Sequence, residues 1–361
     1  MVGRLRRSLG TLRHFAATGA PPRMAFAQLV ACLKDCVAFE TAQLVLFDEA
    51  YRVTDILATR APPRKAAARF VERWLNRDER RFYPTHYELQ VGRDHPVFRV
   101  SDFTPGFQDT ELYDEVLKSI SHCWILGVSL KDGARPIGNL ALGRPFDAPD
   151  FTEADMAAMR LARPFIIQAV SRTAALDEGW DGVADRTAVV VADGEGRIHR
   201  ASRYAGYLLR GATDTPLADA VKADDRGWAQ TTLRRLADQL RARPESGRTG
   251  PAVLETVTPQ GRFILRAYAL DDASDESWFV AQVERQVPLA VKLFGSPLFR
   301  DLSAREQTVC RLVVTGRSQT GIADDLDIAP STVVTHVRNL YDRVGVRSRQ
   351  ELASAMLAPG L

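Results

Sequence analysis

Histidine and cysteine are the residues most able to do chemistry, and here they are scattered. His14, His86, His95, His122, His199 and His336 fall in no H-E-x-x-H pair, and no G-x-S-x-G or G-x-x-x-x-G-K-[ST] run occurs. Cys32 and Cys36 lie one helical turn apart without a C-x-x-C motif, while Cys123 and Cys310 sit among apolar neighbours. Buried, reduced thiols of a cytoplasmic protein are expected, the alternative being a redox pair or a metal shared with a distant histidine. The acidic run from Asp271 to Glu276 lacks the glycine and the spaced glutamate of a calcium loop. Asp193 lacks the paired acids and later lysine of a phosphoacceptor. No catalytic set emerges, so the chain is not expected to be an enzyme. What the spacing does support is recognition. Ser331, Val334, Thr335, Arg338 and Asp342 recur at helical intervals, and hydroxyl, methyl and guanidinium groups on one face are what the major groove of double-stranded DNA can read.

Four short helices would position that face. Ser303 with Glu306 is a capping box, Leu302 a staple before it, and Val309, Leu312 and Val313 an apolar stripe closed by Gly316. Ser318 caps a second helix to about Leu326, with Ile322, Ala323 and Leu326 inward. A short turn leads to Pro330, suited to a first helical position because it has no amide proton to lose. In the third helix Val333, Val337, Leu340 and Val344 form the buried stripe and Gly345 ends it. Ser348 and Glu351 suggest another capping box before a helix of Leu352, Ala355 and Met356. Two short helices joined by so small a turn form the helix-turn-helix pattern. The bland alternative is a small bundle with solvated arginines.

This stretch, Asp301 to Ala353, resembles the LuxR/FixJ-type DNA-binding domain. Position by position, the resemblance implies that Val334, Thr335 and Arg338 read base edges. It implies that Thr320, Thr332, Asn339 and Arg343 meet phosphates or position the helix, and that the last helix dimerises. The sequence departs from the family pattern at Val334, where a lysine is usual, at Gln319, Thr320 and Gly321, and at Ala329, where a capping serine is usual. An operator sequence therefore does not transfer. Val334 is suited instead to a thymine methyl.

The chain of 361 residues, 45% hydrophobic and 26% charged, has material for two or three cores. Its net charge of +3 is uneven. Arg4, Arg6, Arg7 and Arg13 open the chain without an acid, and eight arginines face seven acids from Pro297 onward, which leaves the middle slightly acidic. No run of about eighteen apolar residues exists, and the basic opening lacks a signal-peptide pattern, so no membrane span or secretion is expected. Residues 1–19 are expected to be a solvated basic tail, the alternative being a basic amphipathic segment that touches lipid or DNA.

Between these ends, Met24 to Val37 reads as an amphipathic helix. A hairpin follows, turning at Asp48 to Ala50, with Leu44, Leu46 and Ile56 in its strands. Residues Arg64 to Arg80 carry Ala67, Phe70, Val71 and Trp74 at helical spacing. Glu111 to Ile120 reads as a helix, Cys123 to Leu130 and Gly138 to Leu142 as strands, and Thr152 caps a helix from Glu153 toward Ala175 in which Pro164 should kink. With HPVFRVSDF, ELYDEVL and GNLALGRP, residues 20–175 resemble a GAF-type sensor domain. Trp74 and Trp124 are expected at the border of any ligand cavity there, or simply in its core. From Thr187, strand, Asp-Gly-Glu-Gly turn, strand, helices and a closing hairpin make residues 185–287 resemble a PAS-like domain.

The expected fold class is thus multidomain α+β: GAF-like and PAS-like sensor domains, then an all-α four-helix LuxR-type helix-turn-helix domain at 297–361. The expected function is sequence-specific transcriptional regulation under a sensed signal. Expected partners are double-stranded DNA, a second copy of the chain, RNA polymerase and a small-molecule effector; no cofactor is identifiable from the residues. The alternatives are an acyl-homoserine-lactone receptor, against which the extra middle domain counts, an enzyme-like sensor, or a ligand-free dimerising scaffold.

Overall fold

The computed structural model describes residues 2–60, 62–74, 95–171, 180, 184, 186–215, 227–242, 250–270 and 278–357. Several sequence readings fall outside these residues: the end of the Arg64 to Arg80 helix, His86, most of the segment from Ala174 to Asp185, and the acidic loop from Asp271 to Glu276.

The first sheet is antiparallel, in the order β2-β1-β5-β4-β3. Its strands are β1 (Thr41–Phe47), β2 (Val53–Ala58), β3 (Val97–Arg99), β4 (Trp124–Asp132) and β5 (Arg135–Arg144). Leu44 pairs with Leu140, and Leu126 with Leu142, so alternation places these leucines together on one face. That face packs on α1 (Val2–Ala16), α2 (Pro22–Lys34) and α5 (Glu153–Ser171), whose Leu12, Leu33, Met159 and Ile166 are fully or nearly fully buried. The other face carries a smaller core beneath α3 (Arg64–Arg69), a π-turn at Phe70–Trp74, and α4 (Glu111–Glu115). The predicted helix from Arg64 thus changes pitch at Phe70. The Glu153 helix runs through Pro164 without a break.

A second antiparallel sheet has the order β7-β6-β10-β9-β8. It comprises β6 (Arg186–Asp193), β7 (Ile198–Ala201), β8 (Ala252–Thr258), β9 (Gly261–Leu270) and β10 (Trp278–Gln286). Helices α6 (Ala205–Ala212) and α7 (Gly227–Arg241) cover one face through Leu208, Leu209, Leu233 and Leu236. The turn between β6 and β7 is fixed by Asp193, whose carboxylate accepts from the backbone of Glu195 and Arg197.

The basic opening is not a solvated tail. It is α1, with Leu12, Phe15 and Ala16 buried. Its arginines line one side of the helix and its apolar residues the other, so charge count alone hid an amphipathic stripe. Two side chains of α1 reach other units: Ser8 Oγ donates to the carbonyl of Asp35 at 3.0 Å, and Thr11 Oγ1 to that of Arg300 at 3.3 Å. The expected connection from Pro288 to Pro297 is likewise structured. It contains α8 (Leu289–Leu293), and Phe294 packs edge-on against both Phe15 and Phe299.

The four cysteines are free, three of them buried. Burial pushes the Cys36 and Cys310 thiols up to about 12, and Cys32 rises for the same reason. None of these three is poised as a thiolate. Among the described residues no group of three metal-ligating side chains forms, and no helix is long and apolar enough to cross a membrane.

Candidate nucleic-acid interface

The C-terminal unit consists of α9 (Pro297–Arg300), α10 (Ala304–Val314), α11 (Gln319–Leu326), α12 (Pro330–Val344) and α13 (Arg349–Leu357). The capping box at α10 is complete: Ser303 Oγ accepts from the Glu306 amide, and Glu306 accepts from the Ser303 amide at 2.7 Å. Gly316, at φ 95°, turns the chain out of α10. Ser318 Oγ accepts from the Gly321 amide at 3.0 Å and starts α11.

Asp327 ends α11 in the left-handed region, at φ 50°. That role was not read from the sequence, although aspartate tolerates this conformation better than most residues. Pro330 then opens α12 behind an Ala329 that supplies no side-chain cap. At α13 the second capping box is only half formed. Ser348 Oγ accepts from the Glu351 amide at 3.1 Å, but Glu351 accepts from Arg347 N instead of Ser348 N.

On α12 the two faces separate. Val333, Val337 and Leu340 are buried and hold the helix to α10 and α11. Val334, Thr335, Arg338 and Asn339 are exposed, and Val334 keeps 48% of its surface free. The Arg338 side chain is 83% exposed, and at 4.0 Å its contact with Asp342 is too loose to hold it. Thr332 is exposed at the start of the helix, and Thr320 is exposed on α11 with its hydroxyl 3.1 Å from that of Ser318. Thr335 Oγ1 donates to the Ser331 carbonyl.

Arg343 is differently placed. Its guanidinium donates to both carboxylate oxygens of Glu306, at 2.9 and 2.7 Å, and to the Asp301 carbonyl at 2.8 Å. Partial burial would raise the Glu306 carboxyl, but hydrogen bonds from Ser303 and Arg343 outweigh it and hold the group below its ordinary range. Glu306 thus caps α10 and anchors the end of α12 together. Arg317 is also engaged, in a two-point pair with Asp325 at 2.8 Å. Of the arginines in this unit, Arg338 is the one whose position on α12 combines high exposure with a loose partner.

The unit docks on the rest of the chain through Gln307. Fully buried, it donates from Nε2 to Thr11 Oγ1 at 3.0 Å and to the carbonyls of Phe299 and Leu302, while its Oε1 lies 3.2 Å from His14 Nδ1. Burial lowers the His14 pKa. Arg300 adds an ion pair with Asp35 at 2.7 Å.

Neither tryptophan is among the residues that line the cavity on the first sheet. Trp74 is wholly buried, and its Nε1 donates to Glu115 at 2.9 Å under the Arg73 guanidinium. Trp124 is half-buried at the start of β4. A cavity does lie on that face of the first sheet, but Gln43, His122 and Asn139 are the polar residues lining it. Gln43 and Asn139 in strands and His122 just before β4 carried no signal that could have grouped them.

Residues 300–356 match the family model of bacterial regulatory proteins, luxR family. A stretch of 50 residues is 48% identical to the HTH-type transcriptional regulator MalT of Yersinia pestis (strain Pestoides F), covering 14% of this chain and 6% of that protein. A stretch of 55 residues is 46% identical to the probable transcriptional regulatory protein NarL of Mycobacterium tuberculosis (strain CDC 1551 / Oshkosh), covering 15% and 26%. The likeness to these proteins is thus confined to a small part of each. Among solved structures, a Vibrio cholerae VqmA–ligand–DNA complex aligns at 15% identity over 48% of this chain and 83% of that one, with a TM-score of 0.26. A sensor region of a sensor histidine kinase aligns at 11% identity over 76% and 91%, with a TM-score of 0.20. The C-terminal unit is a LuxR-family helix-turn-helix domain.

Proposed function

We propose that the chain is a DNA-binding transcriptional regulator in which α12 enters the major groove. The observation that carries this reading is the exposed face of Val334, Thr335, Arg338 and Asn339, set on a helix whose opposite face is locked by Val333, Val337 and Leu340. Arg338 suits the acceptor pair of a guanine and Val334 a thymine methyl, with Thr335 beside them. Thr320, Thr332 and Asn339 lie where hydroxyl and amide donors suit phosphates, and Arg343 fixes the angle of the helix through Glu306. The reading assigns binding to the chain, and no catalytic step.

The two sheet units act as GAF-like and PAS-like sensor domains that receive a signal and present two copies of the helix as a homodimer. RNA polymerase and a small-molecule effector are the further partners of this reading. One helix of this kind contacts too few base pairs to select a genomic site, which favours a two-fold symmetric operator. The test is selection of bound duplexes from a random pool with the full chain, then footprinting of Arg338→Ala on the enriched site at matched salt. Wild type should enrich a pseudo-palindrome and the variant should lose it; no enrichment by the wild type would refute the reading.

A further inference from the structure

The face of the first sheet turned away from α1, α2 and α5 holds a cavity of about 50 Å³. Its floor is built by alternate residues of neighbouring strands, Gln43 on β1, Ala141 on β5 and Gly127 on β4, which the register sets side by side. Phe70, Leu112 and Leu117 close it from the layer above. The Phe98 ring covers Gly127, where a Cβ would strike it at 2.3 Å, and so forms part of the cavity wall.

Two residues that line this cavity carry a buried polar atom with no hydrogen-bond partner among the described residues: His122 Nε2 and Asn139 Oδ1. The residues are 1% and 2% exposed. His122 has its Nδ1 engaged 2.8 Å from Thr41 Oγ1 and rests over Gly143, and neither of those residues lines the cavity, so the Nε2 edge of the ring is what faces it. An orphaned buried polar atom forfeits its hydration without repayment, and two in one cavity ask for an occupant. The lining residues among those described include no Asp, Glu, Lys or Arg. Burial also pushes the His122 imidazole down to about 4, so it is neutral near pH 7. Among the described residues nothing on this cavity would serve a charged ligand as counter-ion for its lost hydration. Asn139 Oδ1 can only accept, so the occupant must donate.

We infer that this cavity binds a compact uncharged organic molecule, about one ring in size, whose hydroxyl or amide group donates to Asn139 Oδ1 and whose apolar body lies over Ala141 beside the Phe98 ring. The inference deepens the sensing part of the proposed function and does not depend on DNA binding.

Three monosubstituted benzenes serve as probes, phenol, toluene and benzoate, which differ mainly in donor and charge. Each is titrated calorimetrically into the full chain without DNA, and the phenol complex is crystallised. Phenol should bind at least tenfold more tightly than toluene, benzoate should not bind, and Asn139→Leu should erase the preference for phenol. The crystal should show the phenol oxygen on Asn139 Oδ1, a readout that stands even if the variant does not fold. Equal affinities for phenol and toluene, preferred binding of benzoate, phenol seated elsewhere, or a cavity that holds only water would each overturn the inference. None of these results bears on whether α12 reads DNA, which the duplex selection measures separately.

Discussion

Arg338 and Arg343 stand on the same helix but differ in what holds them. The Arg338 guanidinium is largely free, whereas Arg343 is tied to Glu306 and the Asp301 carbonyl. Arg338→Ala should therefore weaken specific DNA binding by about 1 to 3 kcal/mol and leave the melting temperature unchanged. Arg343→Ala should lower the melting temperature, because it strands Glu306. Anisotropy titrations at fixed salt, paired with thermal melts, separate the two; a large melting loss in Arg338→Ala would contradict the assignment. His122 gives a residue-scale pH dependence. Burial lowers its folded-state pKa to about 4, against an ordinary value of 6.5. Between those values the unfolded state binds more protons, so stability is full above pH 6.5, falls as pH drops toward 4, and levels off below. The loss from this one group is about 3 kcal/mol. Urea midpoints of wild type and His122→Gln at pH 7 and pH 4.5 should differ by that amount in their pH response, and an identical response would exclude it.

At the scale of the element, the ends of the C-terminal helices decide where the reading face points. Ser303→Ala removes one half of a complete capping box and should cost about 1 kcal/mol. Glu306→Ala should cost more, since the same carboxylate also holds Arg343. Gly345 closes α12 at φ 77°, and a Cβ there would meet nothing within 4 Å. The whole cost of Gly345→Ala is then the left-handed backbone, about 1 to 2 kcal/mol, measurable by urea unfolding. A neutral substitution would mean that the helix ends differently in solution. These caps were legible in the sequence because each depends on neighbours three or four residues away. The left-handed Asp327 was not, since a cap of this kind, closed by the Ile328 amide on the Ala323 carbonyl, is usually marked by a glycine.

For the molecule as a whole, α1 joins the first sheet unit to the helix-turn-helix unit. Leu12 is fully buried, and Thr11 and His14 both meet Gln307. Leu12→Ala should cost about 2 to 5 kcal/mol, where a solvated tail would register nothing beyond about half a kcal/mol. Thr11→Val and Gln307→Leu should be non-additive, with a coupling of about 0.5 to 3 kcal/mol in a double-mutant cycle, because each removes the same Thr11–Gln307 hydrogen bond. If the two substitutions simply add, the units are not joined through this node. The proposed homodimer is tested at this scale too. Sedimentation of the full chain should show a dimer, and a monomer that still protects a single asymmetric half-site would refute it.

Composition, caps and apolar periodicity determined that residues 300–356 form a helix-turn-helix unit and which face of its third helix stays exposed, since helical spacing and capping are local. They determined most strands of both sheets for the same reason, through alternation and turn residues. The tertiary structure alone decided that the basic opening is a packed helix, that Arg343 is spent within the domain, and that His122 and Asn139 share a cavity without Trp74 or Trp124. Each of these depends on partners far along the chain, 37 residues apart for Arg343 and Glu306 and 296 for Gln307 and Thr11. Strand pairing and helix docking bring such residues together, and no spacing within one element encodes which distant residue will lie opposite.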